Sequence, residues 1–191
     1  YTVEDVKMSD KGSIFTVCEG DSKFTLETRL LGKHNIYNIL CAVAIAKELN
    51  MTNEEIKKAV KKIKPVEHRL ELKNMGGILA LDDSFNSNPE GSKAAIDTLC
   101  MFKDKYKVMV TPGMIELGEK TDELNKKLGE YATVLDYVIL VGNVTTKKIE
   151  EGMKEKGYSN YIVVKDLYEA FRKLEELQVS NTNLLALFEN D

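Results

Sequence analysis

"ILALDDSFNSNP", residues 78–89, decides how this chain folds. Four apolar residues run without a break, two acids follow, and a polar loop closes on Asn88-Pro89. A short continuous apolar run fits a strand buried on both faces. Asparagine is a favoured helix N-cap and proline a favoured first helical residue, so a helix is expected from Pro89. The stretch therefore reads as strand, loop, helix. Capping explains Asn88-Pro89, and it can take in Ser87, but it has no use for Asp82, Asp83 and Asn86 as well. Adjacent acids at a strand end suit a metal, a ribose diol or an amine, and ligands of open α/β sheets collect outside the carboxyl ends of the strands.

The same rhythm continues downstream. Further apolar runs are "YKVMVT" (106–111), "YVILVG" (137–142), "YIVVK" (161–165) and "NLLALF" (183–188), with helical stretches at 90–102, 120–134, 146–156 and 166–178. Five strands alternating with four helices imply an α/β fold, a Rossmann-like open parallel sheet with helices on both faces. The first part differs. "SIFTVCEG" (13–20) and "KFTLETRLL" (23–31) alternate around a Gly-Asp turn and read as an antiparallel hairpin, with "YTVEDV" a further strand. Residues 35–49 read as a helix apolar on nearly every face, hence buried. "TNEE" (52–55) is a capping box opening a second, short helix. The pattern breaks at Pro65, which sets the expected boundary: residues 1–65, a β-hairpin plus two helices, and residues 66–191, the Rossmann-like part. A hairpin of this size is marginal alone, so the chain is expected to begin inside a domain.

Composition limits the function classes. Of 191 residues 43% are hydrophobic and 30% charged, and the net charge is −4 with both signs interspersed. Neither a nucleic acid nor an anionic membrane is the expected partner. The longest uncharged apolar run, residues 35–46, is too short to span a bilayer, so no membrane insertion is expected. Cys18, Cys41 and Cys100 stand far apart and fit the reducing cytoplasm, and two histidines make a protein-only zinc site improbable. No G-x-x-x-x-G-K-[ST] phosphate cradle and no G-x-G-x-x-G fingerprint is present.

Four other stretches carry site candidates. In "GKHNIYN" (32–38), Asn35 and Asn38 lie i, i+3 and share a face of the first helical turn. Asn35 can be a plain cap; Asn38, among apolar neighbours, is a better candidate for gripping a base edge, where an amide donates and accepts at once. Arg69 sits in the expected interdomain connection, where a guanidinium matches phosphate oxygens, though an isolated arginine is usually a solvated charge. His68 reads as packing or surface. In "TPGMIELGE" (111–119) Met114 and Leu117 can tuck inward, and in "VGNVTTK" (141–147) Thr145 or Thr146 reads as a helix cap.

Together, "GKHNIYNILCAVAIAKEL", "PVEHRLEL", "LDDSFNSNPEGSKAA", "GMIELGE" and the final "LFEND" resemble, in order and spacing, the Mur ligases, ATP-dependent amide-forming enzymes of peptidoglycan synthesis. The resemblance implies that residues 1–65 correspond to the tail of the central ATPase domain and residues 66–191 to the C-terminal domain. The N-terminal domain and the rest of the central domain, with the Walker loop and the Mg2+ ligands, would lie upstream. It implies ATP as cofactor, with Asn35 and Asn38 on the adenine, His34 supporting that turn, Arg69 toward the phosphates and Asp83 on the ribose. Asp82, Asn86 and Asn88 would shape the same pocket. No catalytic residue would lie in this chain. The pattern is most similar to the member that adds D-Ala-D-Ala to UDP-MurNAc-tripeptide through an acyl phosphate, a cytoplasmic reaction, and this stretch alone would be inactive. "TPGM" stands where many relatives have Gly-Asp-Met, which removes any role of that aspartate. The alternatives are a non-enzymatic nucleotide-binding module and another ligase of the Mur or folylpolyglutamate type.

Overall fold

The computed structural model describes residues 1–190; Asp191, the last residue of "LFEND", lies outside the described residues. The chain divides into two compact units, Tyr1–Val66 and the part from Glu67 onward.

The first unit is a three-stranded antiparallel sheet in the order β1 (Thr2–Ser9), β2 (Gly12–Glu19), β3 (Ser22–Thr28), followed by α1 (Lys33–Glu48) and α2 (Asn53–Lys61). Alternation sends Phe15, Val17, Phe24 and Leu26 to one face of the sheet. Ile36, Ile39 and Val43 of α1 and Ile56 and Val60 of α2 complete that core. The capping box forms: Thr52 Oγ1 accepts from Glu55 N–H, and the Glu55 carboxylate accepts from Thr52 N–H at 2.8 Å. Two expectations change here. The helix α1 is buried along one stripe only, and Tyr37, Ile45 and Leu49 are exposed, because this sheet has three strands and covers one side of it. Its N-cap is Gly32 and not Asn35, whose side-chain Nδ2 instead donates back to the Leu31 carbonyl at 2.8 Å.

The second unit is a six-stranded sheet in the order β4-β5-β9-β6-β7-β8. Its strands are β4 (Glu71–Met75), β5 (Ile78–Asp83), β6 (Tyr106–Thr111), β7 (Tyr137–Val141), β8 (Tyr161–Val164) and β9 (Leu184–Glu189). All pairings are parallel except β4 with β5. The edge strand β4 is an addition to the five strands read from the sequence. "ELKNM" is too polar to read as a buried strand, and as an edge it need not be one. Gly76 (φ 61) and Gly77 (φ 93) make the tight turn that returns it along β5.

Four helices cover this sheet: α3 (Pro89–Cys100), α4 (Thr121–Ala132), α5 (Thr146–Glu155) and α6 (Leu167–Ser180). Ala170 and Leu174 of α6 pack on Ala80, Val108, Val110, Ile139, Ala186 and Phe188. The strand residues between them, Leu81, Met109, Leu140, Leu185 and Leu187, are equally buried and point to the opposite face, the side of the α3–α4–α5 layer. Burial on both faces is why these strands read as continuous apolar runs. β9, last in sequence, lies between β5 and β6. Asp83 is therefore paired in register with Glu189, and Val110 with Phe188.

The α4–α5 contact depends on two glycines. A Cβ at Gly129 would sit 2.0 Å from the Ile149 carbonyl oxygen, and one at Gly152 would sit 2.1 Å from that of Lys126. Gly129→Ala must push the helices apart, and overpacking of this kind costs about 1–3 kcal/mol. A lower urea midpoint with an unchanged slope is the expected result.

Candidate functional site

The polar stretch that follows β5 separates into inward and outward groups. Asp82 is 2% exposed, and both its oxygens are engaged. Oδ2 pairs with Lys73 Nζ from β4 and lies 2.9 Å from His68 Nδ1; Oδ1 accepts from Ser84 Oγ at 2.7 Å and Ser84 N–H at 3.2 Å. Burial pushes the Asp82 carboxyl upward, but the hydrogen bonds from Lys73, Ser84 and His68 prevail and hold it below its ordinary value. Asp82 thus anchors β4 and the residue-68 turn to β5. His68, exposed on that turn, is tied to the sheet through this contact.

Asp83, one pleat on, is partly exposed, and its Oδ1 accepts from the Leu70 N–H at 3.0 Å. Burial pushes its carboxyl above the ordinary range, against the pull of that N–H and of the Arg69 charge. His68 (φ 59) and Leu70 (φ 47) both adopt left-handed backbone, an uncommon state for such residues that costs of the order of 1 kcal/mol each. Phe85 N–H donates to the His68 carbonyl at 3.3 Å, which closes the turn onto the β5 loop. Between the two strained residues, the exposed Arg69 guanidinium lies over the Phe85 ring at 4.2 Å. A cation and a carboxylate are therefore presented together, each with its backbone held.

Further along, Asn88 Oδ1 accepts from Gly91 N–H at 2.8 Å and caps α3 as the sequence indicates, while Asn86 is exposed. Ser87 turns inward. With Ser92 of α3 and Thr111 of β6 it surrounds Glu189, which is 1% exposed at the end of β9. Ser87 and Ser92 both contact Oε1, and Thr111 Oγ1 donates to Oε2 at 3.1 Å. Sequence reasoning passed over Glu189, because one acid ending an apolar run does not reveal which strand it will stand beside. The next residue, Asn190, donates through Nδ2 to the Gly113 carbonyl at 2.7 Å.

The loop after β6 is held from the side. Asn125 of α4 bridges the Met114 backbone, accepting from its N–H at 2.8 Å and donating to its carbonyl at 2.9 Å. Met114 is buried, Leu117 half-buried, and Glu116 and Glu119 are exposed. Thr145 takes the N-cap position of α5, but its hydroxyl makes no cap hydrogen bond. Thr145 Oγ1 donates to the Pro112 carbonyl, and Thr146 Oγ1 to that of Gly142 at 2.7 Å. Both instead serve loops at the strand ends.

In the first unit, His34 and Asn38 are exposed at the start of α1 and Asn35 is half-buried. Partial desolvation lowers the His34 pKa. Among the described residues no group of three or more His, Cys, Asp or Glu side chains could hold a metal ion, and no helix is long and apolar enough to cross a membrane.

A mostly parallel sheet with an order reversal, helices on both faces and polar loops gathered at its carboxyl end defines an α/β domain. Residues 68–186 match the family model described as "Mur ligase, glutamate ligase domain", and the chain belongs to the Mur ligase family. It is 30% identical over 180 residues to the UDP-N-acetylmuramoyl-tripeptide--D-alanyl-D-alanine ligase of Bacillus subtilis, covering 91% of this chain and 39% of that protein. It is 31% identical over 160 residues to the UDP-N-acetylmuramoylalanine--D-glutamate ligase of Clostridioides difficile, covering 83% of this chain and 34% of that protein. Its fold is similar to that of MurF from Acinetobacter baumannii, with a TM-score of 0.81 at 23% identity over 99% of this chain and 41% of that one. The chain thus spans about two fifths of the length of such relatives.

Asp82→Ala would strand Lys73 beside a buried gap. Breaking a buried pair costs about 3–5 kcal/mol, and the part exposure of Lys73 brings the expected loss to about 2–3 kcal/mol. Because the folded pKa of Asp82 is depressed, the pair's contribution is present above its ordinary 3.8 and is lost as pH falls through the folded value. Denaturant unfolding at neutral and at acid pH, with Asp82→Asn flat across that window, checks the sign.

Proposed function

We propose that the chain is the C-terminal portion of an ATP-dependent amide ligase that joins D-Ala-D-Ala to UDP-MurNAc-tripeptide in the cytoplasm. The observation that carries the reading is the Arg69–Asp83 pair, because strained backbone at residues 68 and 70 is retained only where the surroundings hold it, and here it presents a phosphate-binding group beside a hydroxyl-binding one. These side chains fit the nucleotide by their chemistry. Arg69 offers paired donors to phosphate oxygens, and Asp83 keeps acceptor capacity for ribose hydroxyls after taking the Leu70 N–H. In the first unit, Asn38 offers an exposed amide at the start of α1, with Asn35 and His34 on the same turn, for the adenine.

When bound, ATP supplies the phosphoryl group that activates a carboxylate for amide formation. The work of the second unit's residues is to bind and orient: Asp83 on the sugar and Arg69 on the phosphates. Asp82 acts indirectly by fixing His68 and hence the Arg69 turn, and Asn88 by starting α3 at the right place. Asn86, exposed on the same loop, is assigned to the edge of the nucleotide. The Mg2+ ligands and the phosphate cradle are assigned to polypeptide preceding Tyr1, so the 191-residue chain is expected to have no ligase turnover by itself.

A second reading has its own support in the similarity to the UDP-N-acetylmuramoylalanine--D-glutamate ligase at 31% identity: the same bond formation with another carboxylate and another amine. Ligation assays on the longer polypeptide with UDP-MurNAc-tripeptide plus D-Ala-D-Ala and with UDP-N-acetylmuramoylalanine plus D-glutamate, in parallel, separate the two. In the same assays Arg69→Ala and Asp83→Asn each remove charge-assisted hydrogen bonds worth about 2 kcal/mol, so ATP affinity is expected to fall roughly 30-fold. Unchanged ATP affinity in both variants would overturn the nucleotide assignment.

A further inference from the structure

Glu189 has no part in that reading. It is 1% exposed at the end of the central strand, and among the described residues no cation pairs with it. The groups that face it are uncharged on three sides: Ser87 from the loop, Ser92 from α3 and Thr111 from β6. On the fourth, from β5, Asp83 bears on it with a like charge.

Counting protons favours one ionisation state over the other. Ser87 Oγ, Ser92 Oγ, Glu189 Oε1 and the Asn88 carbonyl oxygen make four close oxygen–oxygen contacts. Ser87 Oγ and Ser92 Oγ lie 2.8 Å apart, each contacts Glu189 Oε1, and Ser92 Oγ lies 2.9 Å from the Asn88 oxygen. Each hydrogen bond needs one proton, and the two serines supply two. With an ionised carboxylate, two of the four contacts are left as bare oxygen pairs. A proton on Oε1 adds a third bond, leaves one bare pair (Ser92 Oγ with Oε1) instead of two, and lines the donors up in one direction: Glu189 donates to Ser87, Ser87 to Ser92, and Ser92 to the Asn88 carbonyl. Thr111 donates to Oε2 in either state, its own oxygen accepting from Gly113 N–H at 3.0 Å.

We propose that Glu189 is a neutral carboxylic acid in the folded protein, and that as a positioning residue it fixes the Asp83–Asn88 loop through this chain of hydroxyls. Burial, the largest influence on the group, acts in the same direction, raising its pKa against the pull of the three hydroxyls. The chain ends on the residue that caps α3. Asn190, the neighbour of Glu189, donates its N–H to the Asp83 carbonyl at 3.4 Å and its side chain to Gly113. Glu189 and Asn190 together thus tie the loops after β5 and β6 to the end of β9. The protonation state stands on geometry alone; a consequence for ligand binding rests on the function proposed above.

The sign of the pH effect follows. A carboxyl whose folded pKa is raised contributes stability fully below the ordinary glutamate value and loses it as pH rises through the folded value. After correction for intrinsic exchange, the opening equilibrium of the Ser84–Ser87 amides is expected to increase by up to about tenfold per pH unit across that window in the wild type. It should be clearly shallower in Glu189→Gln, which keeps a donor in the same place and leaves Asp83 as the one raised carboxyl of this loop to titrate. Glu189→Ala should loosen the loop at every pH, and Ser92→Ala, which cuts the chain further along, gives the same readout if Glu189→Ala does not fold. The infrared difference between wild type and Glu189→Gln at neutral pH should contain the carbonyl stretch of a protonated carboxyl. Carboxylate bands in that difference, a Glu189→Gln variant that follows the wild-type pH dependence, or unchanged loop exchange in Ser92→Ala would each overturn the inference. In the longer polypeptide, a loosened loop with unchanged ATP affinity would uphold the role of Glu189 and count against the nucleotide reading.

Discussion

Three parallel strands stop side by side, β5 at Asp83, β9 at Glu189 and β6 at Thr111, and the acids among those ends must be given hydrogen-bond donors inside the protein. An unpaired buried charge costs several kcal/mol, so the loops beyond these strands are shaped by the need to satisfy carboxyl groups. Asp82 draws in Lys73, His68 and Ser84; Glu189 draws in Ser87, Ser92 and Thr111. Asp83, between the two, accepts one backbone N–H and stays partly open. The outward-facing chemistry is what remains after the inward groups have been satisfied.

Rigidity at the strand ends has a second source in the loops that brace one another. Asn125 holds Met114 by both backbone groups, Thr145 reaches the Pro112 carbonyl, and Asn190 reaches Gly113. A binding surface built on such loops loses little freedom when a ligand arrives, which is how preorganisation favours affinity. The left-handed residues flanking Arg69 belong to the same design, since the sheet's ion pairs supply what holds them.

Much of the fold was legible in the sequence because burial on both faces leaves a plain signature. Each of the five apolar runs is a strand, and each helix following one was read within a few residues. The capping box at Thr52 and the cap at Asn88 were legible because they depend on neighbours three positions away. Reading failed where partners are remote. "ELKNM" has no signature of its own and becomes a strand only by pairing with β5. The α1 helix looked buried all round, yet the described chain covers one stripe of it. Thr145 takes the N-cap position that the pattern allows, but the hydroxyls of Thr145 and Thr146 donate to loop carbonyls, which the pattern does not show. In "DDSFNSNP" the polar crowding was evident, but its division into anchors and outward groups was not.

The sequence by itself determined the alternation of strands and helices, the break near Pro65 and the concentration of polar chemistry after β5, because these follow from local periodicity and from residues a few positions apart. Only the tertiary structure decided that β9, made last, lies between β5 and β6. That placement brings Glu189 beside Asp83 and beneath Ser87 and Ser92, residues about a hundred positions away. Strand order is set by how the two faces of the whole sheet are covered, and no local pattern encodes it.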